Sequence, residues 1–111
     1  MVLVTHRNAD PDSVAAALTL HHLLGSYGEG VSRVCAPEGV NSASKRLLGA
    51  LGFGVPEAGG CSGRRVLFVD VSSAAQVGDV EFAECSVVDH HAVNSLLGAC
   101  RYALYDPDAG A

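Results

Sequence analysis

One hundred and eleven residues with a formal net charge of −5 suffice for one hydrophobic core and not for two. The chain is 49% hydrophobic and 17% charged, without repeats or low-complexity tracts, which excludes a disordered or fibrous class. Twelve acidic groups against seven basic ones argue against nucleic-acid binding by bulk charge, and the absence of Trp leaves little for base stacking. The acidic excess points instead toward cations, provided that the acids converge.

In chain order, Val2-Leu3-Val4 reads as a first strand. Asp12 or Ser13 can cap a helix over Val14 to Leu24, with Gly25 as its stop, and its nearly all-round apolar surface predicts cover on more than one side. Val31 to Cys35 is a second strand, and Ser42 to Leu51 an amphipathic helix with Ala43, Leu47, Ala50 and Leu51 inward. After a Gly-rich connection, Val66-Leu67-Phe68-Val69 has the continuous apolar character of a central parallel strand. A short helix or turn around Ala74 to Val77 precedes a fourth strand, Ser86-Val87-Val88, and Cys100 to Tyr105 forms a fifth. The β-α-β-α-β order predicts an α/β fold: a three-layer, Rossmann-like parallel sheet of about five strands with helices on both faces.

Met1-Val2-Leu3-Val4-Thr5 has no basic region before it and turns polar at His6, so it does not read as a signal peptide, and Val14 to Leu24 spans only about half a membrane. A cytoplasmic protein without membrane contact is the expectation. Cys35, Cys61, Cys85 and Cys100 show no C-x-x-C spacing, and three lie in apolar runs, so reduced, buried thiols are expected.

In a parallel sheet the working site lies at the carboxyl ends of the strands. Three predicted strands end on one chemistry: His6, Asp10 and Asp12 after the first, Asp70 after the third, and Asp89-His90-His91 after the fourth. Carboxylates and imidazoles without cysteine suit a hard or borderline divalent ion. Four Asp in one small volume repel one another unless cations lie between them, and a pair of such ions is suited to phosphoester or phosphoanhydride hydrolysis.

His6-Arg7-Asn8-Ala9-Asp10-Pro11-Asp12-Ser13, Phe68-Val69-Asp70 and Val88-Asp89-His90-His91 resemble, in order and spacing, the first three motifs of the DHH phosphoesterases. The resemblance runs from residue 2 to about residue 108 and implies a dinuclear site, usually filled by Mn²⁺, with Mg²⁺ or Co²⁺ as alternatives. By motif position, His6 and Asp10 would bind one ion, Asp12 and His90 the other, and Asp70 both. His91 would face the substrate phosphate, with Asp89 orienting its neighbours, while Arg7 and Asn8 are candidate substrate contacts. The family includes single-strand exonucleases of the RecJ type, nanoRNases, cyclic dinucleotide phosphodiesterases and family II inorganic pyrophosphatases. The expected substrate is a small nucleotide or short single-stranded oligonucleotide; alternatives are a non-catalytic metal- or nucleotide-binding remnant and a manganese-dependent pyrophosphatase-like activity. Family enzymes carry a fourth acidic motif and a C-terminal substrate-binding domain. Only twenty residues follow His91, so residues 1–111 are expected to be a single, partial domain completed by a further domain or by homo-oligomerisation.

Other features carry bland readings. His21-His22 are neighbours on a helix and point apart. Arg64-Arg65 lie at the opposite end of a strand from the site. Gly52-Phe53-Gly54 follows a helix and lacks a third Gly in register. A Ser-His-Asp triad built on Ser13 has no elbow context.

Overall fold

A computed structural model describes residues 1–28, 33–56, 58–59 and 61–108. Five parallel strands, β1 (Val2–Val4), β2 (Arg33–Cys35), β3 (Arg65–Val69), β4 (Glu84–Asp89) and β5 (Tyr102–Tyr105), form one sheet in the order β2-β1-β3-β4-β5. Helix α1 (Pro11–Ser26) follows β1 and α2 (Ser42–Leu51) follows β2. The predicted α/β fold is therefore observed. Because the chain leaves β1 for β2 on one side and returns to β3 on the other, the strand order reverses between β1 and β3. Ligand sites in such sheets form outside the carboxyl ends of the strands at that reversal.

Strand alternation divides the core. Leu3, Leu67 and Val69 face α1 and pack with Ala17, Leu20 and Leu24. Val2, Val4, Val66, Phe68 and Val87 face the other way and pack with Val71, Val77 and Leu96 from the loops. The two outer layers are unequal. On the second face the cover is loop and a single 3-10 turn, Ala74–Gln76, which is the predicted short helix. Helix α2 rests on α1 through Val14, Leu18, Val40 and Leu48. Hence α1 is covered on two sides, as its composition requires.

Several boundaries differ from expectation for identifiable reasons. Helix α1 begins at Pro11, and its cap is Asp10, whose carboxylate accepts from Ser13 N at 2.9 Å. Proline fits a first helical position because its missing N–H would have no partner there. The helix also passes Gly25 to end at Ser26. Gly52, in the left-handed conformation at φ 76°, caps α2, so its glycine serves a helix end and not a nucleotide loop. Residues 31 and 32 of the expected second strand lie outside the described residues. Arg65 pairs with Glu84 at 3.1 Å on the surface.

The expectation of reduced thiols is overturned. Cys35 is bonded to Cys61, and Cys85 to Cys100, with Cα–Cα separations of 5.5 and 4.6 Å. The parallel pairing of β4 with β5 brings the second pair together, since Arg101 N donates to the Cys85 carbonyl at 2.8 Å. Sequence spacing carries no trace of that neighbourhood. Among the described residues, no helix is long and apolar enough to cross a membrane.

Candidate metal centre

Strand β1 delivers the chain to Thr5 and His6, after which Asn8 takes a left-handed conformation at φ 53°. Ala9 then bridges to Val40, and Asp10 opens α1. At the end of β3, Asp70 is also left-handed, at φ 60°, a conformation that Asn and Asp tolerate better than other side-chain-bearing residues. These turns swing the first and second motifs toward one another.

His6 Nδ1 lies 2.8 Å from the Arg7 carbonyl oxygen. A carbonyl only accepts, so this nitrogen carries the proton and Nε2 presents its lone pair inward. A hydrogen bond on one ring nitrogen that fixes the other is the usual arrangement of a metal-binding histidine. His6 Nε2 lies 2.8 Å from Ser13 Oγ and 3.9 Å from Asp10 Oδ2. The same hydroxyl is 2.5 Å from Asp70 Oδ2. One hydroxyl proton thus faces two acceptors, and the cluster is short of positive charge. Asp70 does not touch the His6 imidazole Nδ1, so Ser13, His6 and Asp70 do not form a nucleophilic relay despite their proximity.

The other oxygen of Asp70 meets the third motif. His90 Nε2 is 3.0 Å from Asp70 Oδ1, and the His90 and His91 rings are tilted by 37° with centroids 5.2 Å apart. His91 Nδ1 lies 3.8 Å from Asp70 Oδ1, but its shorter contact, 2.5 Å, is with Asp89 Oδ1. Asp89 is buried at the end of β4 and accepts from His91 N as well as from the ring.

Among the described residues, two groups could therefore hold an ion, His6–Asp10–Asp70 and Asp70–His90–His91, each with its donor atoms within 4.8 Å of one another. They share Asp70. Nitrogen and oxygen donors with every described cysteine bound in a disulfide fit a hard or borderline divalent ion. Burial pushes the Asp10 carboxyl upward, but hydrogen bonding from Ser13, the nearby His6 and the Asp12 N–H outweigh it and hold the group below its usual value.

Not every expected residue joins these groups. Asp12 is exposed in the first turn of α1 and lines a groove of about 670 Å³ with Asp70, His90 and Asp106. The Arg7 guanidinium contacts the Ala75 carbonyl at 2.5 Å and lies 3.9 Å from Glu38, so a phosphate contact requires its release. Asn8 is exposed at its turn. Asp106 accepts from Asp108 N at 2.9 Å, making the expected turn after β5.

Three supporting residues escaped the reading of the sequence. Ser13 is buried between His6 and Asp70; Asn94 is buried against Asp89; and the Tyr105 hydroxyl lies 2.5 Å from the His91 carbonyl and 2.9 Å from that of Ala92. Of the three, the sequence singles out only Ser13, as a possible helix cap and as the last residue of the first motif.

Fold and site together define a parallel α/β domain with a carboxylate–imidazole centre, the kind of site that supports metal-dependent hydrolysis. Residues 1–111 match the DHH family, N-terminal domain, and the chain belongs to that family. It is also similar to a probable manganese-dependent inorganic pyrophosphatase of Archaeoglobus fulgidus, with 33% identity in a 108-position alignment that covers 85% of this chain. The chain spans about a third, 34%, of that relative's length.

Proposed function

We propose that this chain supplies the metal-binding part of a hydrolase acting on phosphoester or phosphoanhydride bonds. The supporting observation is the pair of donor groups that meet at Asp70. By the family resemblance His6 and Asp10 would hold one divalent ion, Asp12 and His90 a second, and Asp70 both; Asp12 lies outside the two donor groups. A bound ion supplies Lewis acidity toward a phosphoryl oxygen and lowers the pKa of a water molecule.

The chain's own residues do the remainder. His6 keeps its proton on Nδ1, against the Arg7 carbonyl, so that Nε2 stays a donor atom. Asp89 holds His91 by Nδ1, leaving Nε2 toward the substrate side: as the neutral ring it can accept a proton there, and as the imidazolium it can give one to the leaving oxygen. Arg7, once freed from Ala75 and Glu38, and Asn8 are assigned to phosphate contact. The substrate class is a small nucleotide or short single-stranded oligonucleotide, with manganese as the preferred ion. Similarity to the archaeal pyrophosphatase favours inorganic pyrophosphate as a second substrate.

The test is hydrolysis of pyrophosphate and of a dinucleotide, with and without Mn²⁺, by the wild-type chain and by Asp70→Asn. The expected outcome is Mn²⁺-dependent phosphate or nucleotide release that falls at least tenfold in D70N. Hydrolysis that survives D70N, or a chain that binds Mn²⁺ but hydrolyses neither substrate, overturns this reading; the second result leaves the metal-binding remnant.

A further inference from the structure

We infer that Asn94 is a positioning residue that, through Asp89, fixes the tautomer of His91. Asn94 is buried and every polar function of its amide is used. Nδ2 donates to Asp89 Oδ2 at 2.7 Å and to the Val71 carbonyl at 3.1 Å, while Oδ1 accepts from Leu96 N at 2.7 Å. A reversed amide would set its oxygen against a carboxylate and a carbonyl, and its NH₂ against a backbone N–H. The orientation is therefore forced by three partners at once.

This amide determines how Asp89 can sit. One carboxylate oxygen is occupied by Asn94 Nδ2 and, at 3.3 Å, by His91 N, which leaves the other aimed at His91 Nδ1, 2.5 Å away. An ionised carboxylate only accepts, so the His91 proton resides on Nδ1. A metal on that nitrogen would require a lone pair turned against Asp89. Nε2 is thereby the working atom of His91, and it has no hydrogen-bond partner among the described residues. The three side chains form a line, Asn94 to Asp89 to His91, running from β3–β4 loop packing to the edge of the site. The inference rests on the proposed phosphoryl chemistry only for what Nε2 meets; the tautomer is a property of the chain itself.

Long-range ¹H–¹⁵N correlation spectra of the metal-free, ¹⁵N-labelled chain at mildly alkaline pH, where imidazole is neutral, read this directly. Wild-type His91 is expected to give widely separated nitrogen shifts, with the protonated signal on Nδ1. Asn94→Ala is expected to collapse that separation toward the average of two tautomers, while the amide spectrum remains dispersed. A role confined to tying the loops together would leave the tautomer unchanged. If N94A does not fold, Asn94→Leu, which fills the same space without a donor, is held to the same standard. A wild-type proton on Nε2, or a folded variant that retains the pure Nδ1–H pattern, overturns the inference. No hydrolysis is measured, so failure of the proposed reaction and failure of this inference are separate results.

Discussion

Ser13 and Asp70, 57 positions apart in sequence, meet through a single hydroxyl, with Ser13 Oγ 2.5 Å from Asp70 Oδ2. That contact joins the first turn of α1 to the end of β3, and the same oxygen is shared with His6. It is a direct side-chain link between the first and second motifs, added to the backbone pairing of β1 with β3.

Ser13→Ala is therefore expected to destabilise the metal-free chain by about 1–3 kcal/mol, the cost of leaving buried acceptors without their donor. In saturating Mn²⁺ the difference should shrink, because a cation satisfies His6 and Asp70 directly. Urea unfolding with and without Mn²⁺ measures both values. An equal loss in the two conditions would assign Ser13 to packing alone.

Asp10 gives a pH signature. Its folded carboxyl lies below the ordinary value of 3.8, so its stabilising contribution is complete above that value and disappears as pH falls through the lower, folded one. Asp10→Asn removes the charge but keeps an efficient helix cap. The wild-type chain should lose stability more steeply than D10N as pH falls below about 4, seen as a narrowing gap between their melting curves. Parallel curves would remove Asp10 from the acid response.

The disulfides join residues 26 and 15 positions apart. In the chain-entropy account each closure stabilises the fold by about 3 kcal/mol. Replacing Cys85 and Cys100 by Ser, or adding reductant to the wild type, should lower the urea midpoint accordingly. A midpoint indifferent to reductant would contradict the pairing.

The α1 side of β5 is bare, with Tyr102 63% and Leu104 72% exposed. With Leu20, Val69 and Val88, Leu104 borders an apolar groove, a surface that parallel sheets ordinarily cover. The chain is expected to self-associate in sedimentation velocity at micromolar concentration, and Leu104→Glu to shift it toward monomer. A monomeric wild type would dispose of this expectation.

Much of this was legible in the sequence because the signals were strong and local. Val66 to Val69 is apolar at every position, as a central parallel strand demands, and each of three strand ends carried ligand-type side chains. The strand-end rule then required those ends to converge, and Asp70 lies where the groups meet. What was hidden depended on contacts across the fold. Asn94 reads as an ordinary loop residue until β4 and the loop after β3 bring Asp89 and Val71 to its amide. Cys85 and Cys100 read as buried thiols until the β4–β5 register sets them side by side. Asp10 was read as a ligand, whereas the helix also uses it as a cap, and one residue type satisfies both demands.

The left-handed backbone at Asp70 has a consequence for how this position can vary over time. With φ at 60°, most side chains cost about 1–2 kcal/mol there before any ligand is considered, while Asp and Asn escape much of that penalty. Glu, which could still offer a carboxylate, bears that backbone cost without the relief Asp has, and Gly, which suits the turn, offers no donor. Two unrelated filters, one steric and one chemical, thus admit nearly the same single residue. A lineage that abandoned the metal would lose only one of them, so an Asp or Asn here is not by itself a record of activity.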